Sequence, residues 1–272
     1  MNIIQFILLG ILQGLTEFLP ISSSGHLVLL PALLHWNIPE EKAFVFNILV
    51  QVATLLAVII YFWKDLEKII LAVFNGIIKS KPFEDSQARL GWYIVLATIP
   101  AGLAGLLIKD VVEEAFSSPT LVAIFLLITA MLLVVSERIG KRQRDLQSMN
   151  WLDALMIGIG QILAIFPGIS RSGATISTGM ARNFNRESAA RFSFLMSIPI
   201  MLAAGSLAML DLLAMPQAIQ WLPEFIPGFI ASAITGYLSI RWLLKFLVSR
   251  TLYGFSIYCA LFGLISLLLL NI

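Results

Sequence analysis

Apolar positions in this chain come in long, nearly unbroken runs, without the one-sided spacing of a soluble helix or the alternation of a strand. Six stretches carry no Asp, Glu, Lys or Arg: 43–63, 90–108, 115–136, 192–210, 225–240 and 251–272. A membrane-crossing helix needs about 20 mostly apolar residues, so each is predicted to be a span. The fifth is short, but it extends into Arg241 and Trp242, whose polar ends can snorkel.

Two further apolar regions are interrupted. Residues 1–35 run through Glu17 into FLPISSSGHL before becoming apolar again, and residues 154–181 run into AIFPGISRSGATIS. Each reads as two short helices joined by a Pro/Gly/Ser-rich break. Broken backbone at membrane depth is tolerated only where it is buried in protein or lines a wet cavity. Both regions are therefore expected to be re-entrant hairpins.

Composition agrees with this. Apolar residues make up 59% of the 272 and charged residues 12%, against roughly 45–50% and 25% for soluble domains, and the mean hydropathy is +0.92. These values exclude a disordered chain, a basic nucleic-acid-binding domain and an ordinary cytosolic enzyme. The single cysteine, Cys259, excludes an internal disulfide framework. MNIIQF has no basic n-region, so no cleaved signal peptide is expected.

The position of the charges sets the orientation. Segments 64–89, 137–150, 182–191 and 241–250 hold 15 of the 18 basic residues. Six spans and two re-entrant hairpins put all four segments on one side. The other side keeps Lys42 and Lys109 with the acids from Glu40 to Glu224, in connections such as that around Pro216. Basic segments stay in the cytoplasm, so both chain ends are expected outside.

An offset of 148 residues lays GILQGLTEFLPISSSG (10–25) over GIGQILAIFPGISRSG (158–173), with nine identities in 16 positions. Among these are Gln13/Gln161, Ser22/Ser170, Ser24/Ser172 and Gly25/Gly173. The chain thus reads as a single membrane domain, 1–272, of two halves, 1–140 and 150–272. Each half holds one hairpin and three spans. Three is odd, so the second half enters from the opposite face. The expected fold is an all-α polytopic inverted-topology repeat with its broken segments meeting near the midplane.

This topology leaves Glu17 and Arg171 as the two charges in the membrane interior, where charge is expensive and points to function. His26 stands beside them in sequence. SSSG (22–25) and SRSG (170–173) sit just before helices, whose free N–H groups and dipole favour a phosphate. Arg171 can grip phosphate oxygens bidentately. In such a site His26 attacks directly or activates Ser23 or a water, and Glu17 orients the histidine, moves a proton or binds a cation. Gln13, four residues before Glu17, shares its helix face, so the two can hold a hard divalent cation between them.

QGLTEFLPISSSGH (13–26) and PGISRSGATIS (167–177) resemble the two signature motifs of the bacterial undecaprenyl-diphosphate phosphatase family, the bacitracin-resistance proteins. FNILVQVATLLAV (46–58) and AARFSFLMSIP (189–199) also fit its pattern. The resemblance covers essentially the whole chain. It implies hydrolysis of undecaprenyl diphosphate to undecaprenyl phosphate and phosphate, which recycles the lipid carrier of cell-wall polymers and confers bacitracin resistance. It further implies a plasma-membrane location, a site facing the exterior, and a requirement for Mg²⁺ or Ca²⁺. The catalytic set would be Glu17, Ser23, His26 and Arg171. The substrate-binding set would be Gln13, Ser22, Ser24, Gly25, Gln51, Ser170, Ser172, Gly173 and Thr175, with Glu17 and Gln13 as metal ligands. Gln13 stands where other members carry Glu or Gln.

A polyprenyl diphosphate lipid and the bilayer are the expected partners, and a second copy of the chain is a further candidate. The rival reading is a lipid-phosphate transporter or flippase using the same midplane cavity. Acid-phosphatase-like lipid phosphatases share a serine-glycine-histidine segment but need a later histidine, and none follows His35.

Overall fold

The computed structural model describes residues 3–213, 215 and 217–270. Residues 1–2, Pro216 and 271–272, which fall in the expected first half, an external connection and the last span, lie outside the described residues. The first break separates α1 (Ile3–Phe18) from α2 (Ser23–Leu33). There follow α3 (Glu40–Tyr61), α4 (Trp63–Ile78), α5 (Ser86–Leu107), α6 (Lys109–Phe116) and α7 (Pro119–Ile139). Next, α8 (Trp151–Ile162) runs through a 3₁₀ turn, Leu163–Ile165, to the second break and α9 (Arg171–Ala181). Then come α10 (Arg186–Leu213), α11 (Ala218–Leu247) and α12 (Tyr253–Leu270). Among the described residues the fold is wholly helical apart from one isolated bridge, Arg144 with Phe184.

Six helices are long and apolar enough to cross a membrane: α3, α5, α7, α10, α11 and α12. They correspond one to one with the six expected stretches, so the chain is a multi-pass membrane protein. Side chains such as Leu103, Leu107, Ile257 and Leu268 remain exposed on these helices, as a lipid-facing surface requires. Helix α4 stands in a segment that the charge pattern predicts to be a connection. Its charges Lys64, Asp65, Glu67 and Lys68 cluster in the first turns, and the apolar run that follows packs on α5.

Packing organises the bundle around the two broken segments. Helix α1 lies along α11, and α8 lies along α5. Glycines permit both approaches. A side chain on Gly10 would collide with the Gly228 backbone, and one on Gly158 with the Ala97 backbone. Small residues let membrane helices come close in this way. One aromatic core joins Phe6, Phe46 and Phe225; another joins Phe18, Phe62 and Phe194.

Two buried acids lock the arginine-rich connections. Asp153 opens α8 in a capping box with Asn150. It accepts from Arg144 Nη1 at 3.0 Å and Nη2 at 2.5 Å, and from Arg182 Nε at 2.8 Å. Burial pushes the Asp153 carboxyl up, but the hydrogen bonds from Arg144, the Asn150 amide and Arg182 outweigh it and hold it below its ordinary value. Glu137, in the last turn of α7, takes Arg186 Nε at 2.7 Å, Arg186 Nη2 at 2.6 Å and Arg142 Nη2 at 2.9 Å. The Leu252 amide completes its shell at 2.8 Å.

Candidate active site

Helix α1 ends with Glu17 near its last turn, and the chain turns through Leu19–Ser22 into α2. Ser22 caps α2 by accepting from the Gly25 amide at 3.1 Å. Its backbone lies at φ 68° and ψ 99°, a region that L-residues enter at a cost and that recurs at functional sites. In the second break, Ser170 caps α9 by accepting from the Gly173 amide at 3.0 Å, with an ordinary φ of −68°. The Gly25 and Gly173 amides are thus occupied by their own caps. Ser23 and Ser24, and Arg171 and Ser172, remain the first-turn amides without an intrahelical acceptor.

The two breaks touch. The Gly168 amide donates to Ser24 Oγ at 3.3 Å, and Ser172 Oγ donates to the Leu19 carbonyl at 3.0 Å. This contact brings Arg171 onto Glu17. Arg171 Nη2 donates to Glu17 Oε1 at 2.9 Å, with side chains 17% and 8% exposed. Oε2 of Glu17 accepts from Ser23 Oγ at 2.5 Å and from Gln13 Nε2 at 3.0 Å. The carboxylate is therefore held from both segments, and Arg171 Nη1 is left buried without a partner.

A cavity of about 600 Å³ opens beside this cluster. Of the expected site residues, Glu17, Ser22, Ser23, Ser24, Gln51, Ser170 and Arg171 line it. Gln161 lines it as well. Gln161 is the counterpart of Gln13 in the second motif and is not among the expected site residues. The remaining wall is apolar, formed by Ala101, Gly102, Gly105 and Leu106 of α5 and Ile200, Ala203, Ala204 and Leu207 of α10. Ala164, Ile165, Ile169, Met201, Lys109 and Phe116 complete the lining.

Other expected residues sit behind this surface. Gln13 supports Glu17 and keeps its own Oε1 buried and unpartnered. Thr175 donates to the Arg171 carbonyl at 2.7 Å and meets Ser193 Oγ at 2.6 Å. His26 is 2% exposed and does not line the cavity. Its Nδ1 lies 2.7 Å from the Ser22 carbonyl and its Nε2 lies 2.7 Å from the Tyr258 hydroxyl. A carbonyl only accepts, so Nδ1 carries the proton and Nε2 accepts from Tyr258. The ring also stacks on Phe262. His26 thus braces the carbonyl of the strained Ser22, held by α12 across 232 residues of sequence.

Among the described residues no group of three or more His, Cys, Asp or Glu side chains is arranged to hold a metal ion. Of the two expected metal ligands, Glu17 lines the cavity and Gln13, with its free Oε1, stands behind it.

Fold and site together define a multi-pass α-helical membrane protein with a buried carboxylate–guanidinium pair at the polar wall of a mainly apolar cavity. A family model described as bacitracin resistance protein BacA matches residues 6–265, and the chain belongs to that family. Similar full-length relatives are named undecaprenyl-diphosphatase. One from Thermomicrobium roseum is 41% identical, covering 100% of this chain and 99% of the relative. One from Methanosphaera stadtmanae is 41% identical over 99% of this chain and 98% of its own length. One from Chlorobium phaeovibrioides is 42% identical over 100% and 98%.

Proposed function

We propose that this protein hydrolyses undecaprenyl diphosphate to undecaprenyl phosphate and inorganic phosphate, and so recycles a cell-wall lipid carrier. The observation that carries this reading is Glu17, bound by Ser23 on one oxygen and Arg171 on the other at the wall of a cavity whose far side is apolar. A diphosphate fits the polar wall, and an isoprenoid tail fits the α5/α10 wall. Family membership and the relatives' names accord with it.

In this mechanism Ser23 Oγ attacks the terminal phosphorus and Glu17 Oε2 takes its proton. The bond from that phosphorus to the bridging oxygen breaks, and undecaprenyl phosphate leaves. Water then attacks the phosphoserine, Glu17 returns its proton to Ser23 Oγ, and one proton is released with the phosphate. Arg171 holds phosphate oxygens throughout, where donors preorganised for developing charge are worth most. His26 acts as a positioning residue through Ser22. A divalent cation would be held by Glu17 and Gln13 and would neutralise diphosphate charge.

The two halves form an inverted repeat and the broken segments are re-entrant hairpins. At about 1.5 Å per residue, the 11 residues of α2 and of α9 and the 12 of α8 fall well short of a roughly 30 Å core. The matched caps at Ser22 and Ser170 and the matched crossings at Gly10 and Gly158 support the same reading. The 15 basic residues then lie in the cytoplasm. Lys109, at the cavity lining, lies outside, so the cavity of this plasma-membrane protein opens to the exterior.

The deciding experiment is phosphate release from undecaprenyl diphosphate by purified protein, with and without chelator. Transbilayer movement of the lipid without phosphate release would favour a carrier instead.

A further inference from the structure

Gln161 is 3% exposed and lines the cavity, yet neither its Nε2 nor its Oε1 has a hydrogen-bond partner. A buried primary amide left unsatisfied is costly, and an apolar residue in its place would not bear that cost. The repeat explains how it became free. Its counterpart Gln13 gives Nε2 to Glu17, four residues on. Four residues after Gln161 stands Ile165, so the second copy keeps the amide and lacks the carboxylate. Arg171, which also lines this cavity, keeps its Nη1 buried without a partner as well.

Position narrows what this amide meets. Gln161 lies at the end of α8, and α8 packs on α5, the helix that supplies Ala101, Gly102 and Gly105 to the apolar wall. Ser23 and Glu17 stand on the other broken segment. A lipid diphosphate with its tail along α5 and its terminal phosphate at Ser23 brings its lipid-linked phosphate towards α8.

We infer that Gln161 is a substrate-binding residue whose Nε2 donates to the lipid-linked phosphate, the leaving group, alongside Arg171. Its Oε1 accepts from a water carried in with the anion. This rests on the phosphatase reading above. It adds a residue on the second segment that recognises the monophosphate product.

The test uses the full-length purified chain with farnesyl diphosphate as substrate, and farnesyl monophosphate and inorganic phosphate as separate inhibitors. Gln161→Leu is expected to fold, to lose about tenfold to a hundredfold in kcat/KM, the worth of a hydrogen bond to a charged group, and to weaken farnesyl monophosphate inhibition by a similar factor. Inhibition by inorganic phosphate is expected to stay unchanged. Gln161→Glu keeps the shape, adds a negative charge, and is expected to abolish monophosphate inhibition. It serves as the second variant should the leucine protein not accumulate. Unchanged kinetics and inhibition in both variants would overturn the inference. So would an equal loss of both inhibitors, which would put the amide on the terminal phosphate. A wild-type protein that releases no phosphate sinks the underlying reading instead, and direct titration of farnesyl monophosphate onto wild type and Gln161→Leu then reads the inference alone.

Discussion

Ser23 and Arg171 occupy the same position of the two repeated motifs and hydrogen-bond the same carboxylate, Ser23 to Oε2 and Arg171 to Oε1 of Glu17. One copy thus supplies a hydroxyl and the other a guanidinium to a single acid that only the first copy carries. The two motifs are alike in sequence, but their chemistry is divided.

Removing Arg171 tests the charge-holding half. Arg171→Ala is expected to lose at least about 10²-fold in turnover, the usual cost of losing a donor to developing charge. Arg171→Lys keeps the charge but loses the planar fork, so it too is expected to lose heavily. Glu17→Gln preserves shape and is expected to leave a folded, inserted protein with little phosphate release. A well-folded Glu17→Gln chain with near-normal release would end the assignment of Glu17 as proton acceptor.

The histidine is tested through its neighbour. Tyr258→Phe removes the hydrogen bond to His26 Nε2, at a cost of about 1 kcal/mol in stability, and is expected to keep most activity in a phosphate-release assay. His26→Ala removes the Ser22 brace and the ring against Phe262, and is expected to lose far more. If Tyr258→Phe proved as inactive as His26→Ala, the pair would be a proton path and not a brace.

The apolar wall makes a steric prediction. A Cβ at Gly105 meets nothing within 4 Å, and one at Gly102 first meets Ile200 at 3.9 Å. Gly105→Trp is therefore expected to fold normally and raise KM for undecaprenyl diphosphate much more than for a short-chain isoprenoid diphosphate. Equal effects on both substrates would remove the tail from this wall.

Orientation is read by labelling. In a Cys259→Ser background, cysteines at Lys79 or Lys141 are expected to react only with membrane-permeant thiol reagents. Cysteines at Glu40 or Glu113 are expected to react from outside, and the reverse pattern would invert the topology.

Much of this was legible in the sequence because membranes make few patterns possible. The six spans follow from uninterrupted apolar runs, and Glu17 and Arg171 stand out because charge is rare at that depth. His26 was legible as a residue but not as a brace, since its partners Tyr258 and Phe262 lie on α12 and their local spacing points to no partner. Gln161 appeared in the repeat alignment. The missing clue was a difference, the isoleucine four residues later where the first copy has glutamate. Helix α4 is masked in the sequence because its charges gather at one end, in a segment rich in basic residues. Glu137 and Asp153 do not stand out in the sequence, because Arg186 and Arg182 are brought to them only by folding.

Acid sensitivity follows from Asp153. Its carboxyl is held below its ordinary value in the folded protein, so its contribution to stability is present above that ordinary value. The contribution is lost as pH falls through the lower, folded value. Thermal unfolding in detergent is expected to show wild type weakening below about pH 4. Asp153→Asn is expected to be weaker at neutral pH, by about 3–5 kcal/mol if the arginines are left unpaired, and flatter on acidification.

Glu137 sets a timetable for biosynthesis. It leaves the ribosome at the end of α7, and Arg142 follows within five residues. Arg186 comes 49 residues later and the Leu252 amide 115 residues later. Until the loop before α12 has been made, this acid lacks its full shell, and the first half waits for the last helix before it can close. A nascent chain halted after Arg191 would have both arginines and no Leu252, and one halted after α12 would have all three. Protease resistance of the α7 end is expected to rise between those two lengths, which makes the final helix the one that seals the molecule.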